Sequence, residues 1–242
     1  MKTLCAIVSA VLLRSQFLFS QDDGVNPADI NAITSILNTT LEYPCLTEEI
    51  INFDKAQKPL VQNDGGFEDP YNTLKHCFIF TYYRDSINNG EGDAKLSVGI
   101  FREGNIVTRL DTVIETEYST SGRIKTIADL NKEGEVDIVI TRTLGVSPPP
   151  WEEYWIISWN GKRLKLISDV DKENKQSVLR SPWNYLKFID IDGDGIYELV
   201  TRFENELGVN REHIYSWNGK LYGEWGKGSK ELLNASQLKK NK

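Results

Sequence analysis

The chain has 242 residues, of which 40% are apolar and 26% are charged, and its formal net charge is −7. This composition fits one sizeable core or two smaller ones, and it excludes collagen-like, low-complexity and largely disordered chains. An acidic chain lacks the clustered Lys and Arg that hold a nucleic-acid backbone, so we expect no nucleic-acid partner. Two histidines and three cysteines leave few residues for a Cys/His zinc site or a Ser-His-Asp centre.

The first twenty residues have the order of a secretory signal peptide. Lys2 precedes an apolar run over residues 4–13, and Ser20 offers a small residue at a cleavage point before a polar stretch. The alternative is a single membrane anchor, but such a span needs about 20 uninterrupted apolar residues and Arg14 breaks this run. We therefore predict a signal peptide at 1–20, a secreted or periplasmic protein, and no membrane span after cleavage.

Export would leave Cys45 and Cys77 as the two cysteines of the mature chain. In an oxidising compartment, two remaining cysteines predict a disulfide bond. Such a bond would close a loop of about 33 residues and stabilise the fold by roughly 3–4 kcal/mol on the chain-entropy model. The alternative is a pair of buried free thiols.

Residues 21–58 predict a helical leader in two pieces. Asn26 can cap a helix that begins at Pro27, and apolar residues follow at helical spacing. A second short helix is expected over residues 48–55, because Thr47 can cap it. The sequence therefore predicts two short helices before the main domain.

From about residue 60 the chain changes to short runs rich in Val, Ile, Thr and aromatic residues, separated by Gly, Asn and Asp. The sequence Ser-Trp-Asn-Gly-Lys occurs at 158–162 and again at 216–220, and an acidic segment precedes each copy, at 129–137 and 190–198. Asn-Gly between apolar runs indicates a hairpin turn, because glycine reaches positive φ without a Cβ clash. The repeated unit is four strands in about 58 residues, which is the size of a long propeller blade.

Three such units fit between residues 59 and 228, although the first lacks a regular acidic loop. This organisation predicts a mainly β fold, a propeller-like array of four-stranded antiparallel sheets, preceded by the helical leader and followed by a flexible tail at 229–242. Closed propellers usually have about four to eight blades. Either the region 59–71 supplies a diverged further blade, or the sheets form an incomplete or otherwise closed assembly.

The segment 190–198 alternates acidic with other residues and has a glycine at its sixth place. Side chains at the first, third and fifth places of a tightly turned loop converge on one point, and Gly195 permits the bend. Carboxylates packed together repel one another without a cation, and calcium tolerates irregular oxygen coordination better than magnesium. The alternative is an acidic turn without a metal. The predicted calcium ligands are Asp190, Asp192, Asp194, the backbone carbonyl of Ile196 and Glu198.

Because this ligand set ends at the ninth place and lies between two strands, the segment resembles the calcium loops of FG-GAP or VCBS repeats of the integrin-alpha type. The resemblance spans about residues 120–222 and implies a calcium-binding, propeller-like fold in a secreted or surface protein. The acidic segment at 129–137 has a glutamate, which is longer than aspartate, at its fifth place, and Lys132 brings a positive charge close by. A calcium site and a plain turn therefore both stay open there. Its matching positions are Asp129, Asn131, Glu133, the carbonyl of Glu135, and Asp137.

Trp159 and Trp217 hold equivalent places in the last two units. Repeated placement at strand period favours packing between sheets over a platform for stacking sugars. Three prolines at 148–150 hold extended geometry and would present Trp151 to a partner in a binding loop. The alternative is that Trp151 folds back onto its own sheet.

The repeats show no nucleophile with a matching base, and the adjacent carboxylates Glu152 and Glu153 point to opposite faces of a strand. We therefore predict an exported, non-catalytic, calcium-binding β-repeat module that binds an extracellular or periplasmic protein or glycan. Resemblance to small exported bacterial propeller proteins implies one alternative, a calcium-modulated inhibitor of a cell-wall hydrolase. A carbohydrate-active enzyme with paired carboxylates beside Trp151 is the other alternative.

Overall fold

The computed structural model describes residues 25–40, 45–62, 64–84, 95–111, 122–144, 151–170, 177–182, 185–204 and 210–225. The predicted signal peptide at 1–20 and the predicted tail at 229–242 lie outside these residues. Within them the protein is mainly β and contains several antiparallel sheets, as the sequence predicts.

The described residues form two helices and fifteen strands. Helix α1 is Pro27–Thr40 and helix α2 is Phe53–Ala56. In chain order the strands are β1 (Cys45–Asn52), β2 (Lys58–Val61), β3 (Gly65–Phe67), β4 (Cys77–Arg84), β5 (Lys95–Arg102), β6 (Asn105–Asp111), β7 (Gly122–Ala128), β8 (Val136–Leu144), β9 (Trp151–Trp159), β10 (Leu164–Leu166), β11 (Arg180–Pro182), β12 (Lys187–Ile189), β13 (Glu198–Glu204), β14 (Asn210–Trp217) and β15 (Tyr222–Glu224).

The strands form three sheets. The first sheet has the order β1-β4-β5-β6, and the third has the order β12-β13-β14-β15. The second sheet has the order β10-β9-β8-β7-β3-β2, and β11 pairs with β9. Neighbouring strands are antiparallel except β3 and β7, which are parallel. The predicted four-strand unit is therefore present as β7–β10 in the second sheet and as β12–β15 in the third.

Both faces of the second sheet are buried along β8 and β9, because these strands lie between the other two sheets. Ile138 packs with side chains of the first sheet, such as Val98, in one apolar layer. The next residue along β8, Val139, points to the opposite face and packs with Leu199 of the third sheet. The three sheets are therefore stacked face to face around two apolar layers.

Helix α1 covers the outer face of the first sheet. Its Ile33 and Leu37 are fully buried and pack against Phe80 and Tyr82 of β4. At the start of the helix, Asn26 Oδ1 accepts a hydrogen bond from the Ala28 amide at 2.9 Å, so the first predicted helix is confirmed together with its capping residue. Neither helix in the described part of the chain has the length and apolar character needed to cross a membrane.

The second predicted helix is wrong, because most of residues 48–55 belongs to strand β1. Ile50 packs in the layer beneath α1, whereas Ile51 points to the opposite face and packs in the layer shared with the second sheet. Pairing with β4 and burial of both faces therefore outweigh the local helical pattern. The domain boundary predicted at residue 58 divides the first sheet, since β1 lies before it and β4 after it.

The predicted disulfide between Cys45 and Cys77 is also wrong. Cys77 is a buried free thiol, and the β1–β4 register places Cys45 opposite Arg84, at the far end of β4 from Cys77. Seven residues of strand correspond to about 23 Å, whereas a disulfide requires Cα atoms within about 7 Å. The Arg102 Nε–H group instead donates to Cys77 Sγ at 3.0 Å.

The region 59–71 does not form a further sheet. Strands β2 and β3 make a hairpin that adds to the edge of β7, where Phe67 pairs with Ile127. The Phe188 amide of β12 donates to the Gln62 carbonyl at 3.0 Å, so the hairpin also contacts the third sheet. Among the described strands the three sheets do not close into a barrel or a ring.

Candidate metal centre

Two acidic loops occupy equivalent places in the second and third sheets. The first acidic loop, residues 129–137, joins β7 to β8, and the second acidic loop, residues 190–198, joins β12 to β13. In both loops the fourth and sixth residues have positive φ, a conformation that glycine adopts at least cost. These residues are Lys132 (φ 56°), Gly134 (φ 82°), Gly193 (φ 85°) and Gly195 (φ 85°). The two loops therefore follow the same backbone path, as the sequence repeat predicts.

The second acidic loop brings its three aspartates together. One carboxylate oxygen from each of Asp190, Asp192 and Asp194 lies within 4.8 Å of the others. Asp190 Oδ1 accepts a hydrogen bond from the Gly193 amide at 2.7 Å. Asp192 Oδ1 accepts from the Asp194 amide at 3.2 Å, and Asp194 Oδ1 accepts from the Ile196 amide at 2.7 Å. These turns hold the carboxylates close enough for one cation to contact all three.

Glu198 closes the second acidic loop from the start of β13. Its Oε2 accepts a hydrogen bond from the Ile191 amide at 2.9 Å, and the residue is only 4% exposed. Burial raises the pKa of Glu198 to about 7, and repulsion by Asp192 and Asp194 adds to the rise. Among the described residues, no basic side chain forms an ion pair with any of these four carboxylates.

The first acidic loop contains buried carboxylate oxygens that have no hydrogen-bond partner. Asp137 is fully buried, and its Oδ2 accepts from the Leu130 amide at 3.1 Å, which repeats the contact between Ile191 and Glu198. The Oδ1 atoms of Asp137 and Asp129 are buried and accept no hydrogen bond. The nearby Ser158 hydroxyl donates to Glu135 instead of Asp137. Burial raises the pKa of Asp137 to about 8, with added repulsion from nearby acids. Such oxygens are costly to bury alone, so these residues fit a bound cation.

The other predicted ligands of the first acidic loop differ in their contacts. Asn131 is 3% exposed, and its Oδ1 accepts from the Glu133 amide at 3.1 Å, as Asp192 does in the second loop. The Glu133 side chain is exposed. Glu135 Oε2 accepts a hydrogen bond from Ser158 Oγ at 2.6 Å, so its side chain is directed to β9. The predicted contribution of Glu135 is its backbone carbonyl, at the place that Ile196 holds in the second loop.

Tyr71 contacts the first acidic loop, and no sequence pattern predicts this contact. Its hydroxyl donates to Asp129 Oδ2, and this hydrogen bond raises the pKa of Tyr71 to about 12. The residue lies 58 positions before Asp129, in the segment between β3 and β4, which no repeat pattern connects to the loop. An exposed tyrosine in an irregular segment carries no sequence signal of such a contact.

The two acidic loops are in direct contact. The Tyr197 amide donates to the Leu130 carbonyl at 2.8 Å, and Lys132 Nζ donates to the Asp194 carbonyl at 2.8 Å. The sequence indicated Lys132 only as a positive charge within its own loop. The structure shows that its ammonium group reaches the neighbouring loop.

The repeated tryptophans have structural roles. Trp159 is fully buried in the layer between the first and second sheets, which confirms the predicted packing. Trp217 packs at the margin of the other layer, where its ring lies 5.4 Å from that of Tyr222. Trp151 is the first residue of β9 and pairs with Pro182 of β11, while the prolines at 148–150 lie outside the described residues.

Glu152 and Glu153 face opposite sides of β9, as the sequence predicts. Glu153 is fully buried and forms ion pairs with Arg142 at 2.6 Å and with Arg180 at 2.7 Å. Glu152 accepts a hydrogen bond from the hydroxyl of Tyr154 on the other face. The two carboxylates therefore do not converge on one substrate position, as an acid and base pair must.

The chain was compared with protein-family models, curated sequences and solved structures, and none of them matches.

Proposed function

We propose that this protein is an exported calcium-binding module with propeller-like packing of its sheets, which binds an extracellular or periplasmic protein or glycan without catalysis. The observation that carries the calcium-binding part of the proposal is the pair of buried, unpartnered oxygens on Asp129 and Asp137. The aspartate cluster at the equivalent place of the next repeat supports it. The resemblance of the second acidic loop to FG-GAP and VCBS calcium loops agrees with both.

The chemistry of both loops favours calcium over other metals. The side chains that converge are carboxylates and one amide, which are hard oxygen ligands, and no described histidine or cysteine lies among them. Calcium accepts six to eight oxygens in irregular geometry, whereas magnesium requires a near-ideal octahedron. A bound ion would offset the carboxylate repulsion in each loop and connect strands β7 to β8 and β12 to β13.

Calcium is expected to raise the melting temperature of the protein. Extracellular modules bind calcium with Kd values of about 0.1–1 mM, so 10 mM calcium would stabilise each occupied site by about 1.4–2.7 kcal/mol. For a domain of this size that corresponds to about 3–10 °C per site. Asp192→Ala removes the central ligand of the second acidic loop and is expected to lose that loop's share of the increase. The measurement is thermal unfolding in EDTA and in 10 mM calcium.

The matched control is Asp64→Ala, which removes an exposed acid from the turn between β2 and β3, outside both acidic loops. This variant should retain the full calcium response of the unmodified protein. A melting temperature of the unmodified protein that is the same in EDTA and in calcium would contradict the proposal.

Partner binding is tested separately from calcium binding. Glycan arrays and envelope extracts are probed with the purified protein in calcium and in EDTA, and calcium-dependent retention is expected. Turnover of any arrayed glycan would contradict the non-catalytic part of the proposal.

A further inference from the structure

The contact of Lys132 with the neighbouring loop is specific in its geometry. The Lys132 ammonium donates to the Asp194 carbonyl at 2.8 Å, and its stem lies across Gly195. A Cβ atom at Gly195 would lie 1.5 Å from Lys132 Nζ, so the lysine occupies the space that a side chain there would need. A side chain at Gly195 would therefore displace the Lys132 ammonium, and the positive φ of Gly195 separately favours glycine.

Lys132 stands where the equivalent loop has Gly193. Its φ of 56° is a left-handed conformation that costs a lysine more than a glycine. Beside it, the hydrogen bond from the Tyr197 amide to the Leu130 carbonyl fixes the relative position of the two loops. The exposed Lys132 side chain thus places one positive charge beside the neighbouring loop.

The second acidic loop needs positive charge. One carboxylate oxygen from each of Asp190, Asp192 and Asp194 lies within 4.8 Å of the others, so three negative charges are held close together in this loop. Lys132 is the basic residue that the described structure shows in a hydrogen bond to this loop. The Lys132 ammonium makes no ion pair with a carboxylate of this loop, so its positive charge acts on the three aspartates at longer range.

We infer that Lys132 is a resident counter-cation of the second acidic loop, which opposes the binding of a divalent cation there and couples that loop to the first. The calcium part of this inference rests on the proposed function, whereas the charge coupling between Lys132 and the aspartates does not. Without a metal the ammonium offsets carboxylate repulsion, and with calcium bound the same charge repels the ion.

Removing the charge should strengthen calcium binding. Lys132→Met keeps an unbranched side chain that is one atom shorter, and it keeps a non-glycine backbone. We expect the second loop of this variant to bind calcium about five- to tenfold more tightly, because a positive charge near the ion is removed. Calorimetric titration in the Asp137→Asn background, which impairs the first loop, isolates this site. Lys132→Arg and the exposed-turn control Lys162→Met should keep the affinity of that background within about twofold. An unchanged affinity in Lys132→Met would overturn the inference.

A pair of glycine variants tests the geometry. Gly195→Ala and Gly193→Ala place the same strain at φ 85°, but a Cβ at Gly193 meets no atom within 4 Å, whereas one at Gly195 displaces Lys132. Gly195→Ala should therefore raise calcium affinity relative to Gly193→Ala, and it should have no such effect when Lys132→Met is already present. Equal affinities for the two alanine variants would contradict the assigned contact.

A calcium-free measurement separates the two proposals. In EDTA, Lys132→Met should lower the melting temperature by about 1–3 °C, and this loss should disappear in the Asp192→Ala background, because the carboxylate repulsion is then relieved. Equal losses in both backgrounds would overturn the counter-cation role. Charge coupling in EDTA without any calcium response would reject the proposed function alone, whereas a calcium response without coupling would reject the role of Lys132 alone.

Discussion

Replacing Glu153 with glutamine is expected to lower the melting temperature by about 8–15 °C, which corresponds to about 3–5 kcal/mol of stability. Glu153 is fully buried and its carboxylate lies 2.6 Å from Arg142, which is 2% exposed, and 2.7 Å from the half-exposed Arg180. Glutamine keeps the shape of the side chain but leaves the Arg142 charge buried without a carboxylate. The measurement is thermal or urea unfolding at neutral pH.

The matched control is Glu103→Gln, an exposed acid in the turn between β5 and β6, which should change stability by no more than about 0.5 kcal/mol. Replacing both partners, as in Arg142→Met with Glu153→Leu, should cost much less than the sum of the two single changes, since no charge is then left buried alone. A loss below about 2 °C for Glu153→Gln would show that the ion cluster does not hold β8 against β9 and β11.

In EDTA, the stability of the protein is expected to fall as the pH rises from about 4 to about 8. Burial, with repulsion from Asp129 and Glu135, raises the pKa of Asp137 to about 8 in the folded protein, whereas an unfolded aspartate has a pKa of about 4. The folded state then binds a proton that the unfolded state has lost, so its stability is greatest at the lower end of this interval. Glu198, with a pKa raised to about 7, acts in the same direction between about pH 4.5 and 7.

The variant Asp137→Asn isolates the larger part of this effect. Asparagine retains an oxygen for the Leu130 amide but cannot ionise, so in EDTA at pH 8.5 the variant should be more stable than the unmodified protein by about 3–5 kcal/mol. Asp64→Asn, at an exposed position, should leave the pH profile unchanged. If Asp137→Asn and the unmodified protein show the same dependence of stability on pH in EDTA, ionisation of Asp137 is not the cause of the fall. With calcium present, the fall in stability with pH should become smaller in the unmodified protein.

Asp137 and Arg142 lie near opposite ends of β8. Asp137 lies where the first acidic loop enters the strand, and Arg142 lies near the other end, where it forms an ion pair with Glu153 of β9. Glu153 also pairs with Arg180 of β11. The end near Asp137 has excess buried negative charge, while the other end has its charges paired. This difference is the physical reason to assign cation binding to the first end and a structural role to the second.

Local sequence patterns determined the features that depend on neighbouring residues. The helix at Pro27–Thr40 follows from its cap and apolar spacing, and the second acidic loop follows from alternating aspartates with glycines at the two positions of positive φ. The place of Trp159 in an apolar layer follows from strand alternation within a repeat. Each of these signals is contained in a few consecutive residues, so no knowledge of distant contacts is required.

Repetition of a pattern also predicted the first acidic loop, although its sequence is less regular. The same backbone turns recur there with Lys132 in place of a glycine. What the repeat could not show is that Asp137 and Asp129 each have an oxygen buried without a partner. Burial of a particular atom depends on the sheets stacked around it.

Only the tertiary structure decided which distant residues meet. It made β1 a strand by pairing it with β4, and it separated Cys45 from Cys77 along that pair, because strand register is set by the packing of both faces. It also brought Tyr71 to Asp129 and Lys132 to the neighbouring acidic loop. These contacts join segments that no local pattern relates. The sequence by itself therefore determined the chemistry of each loop, and the stacking of the sheets decided which charges act on it.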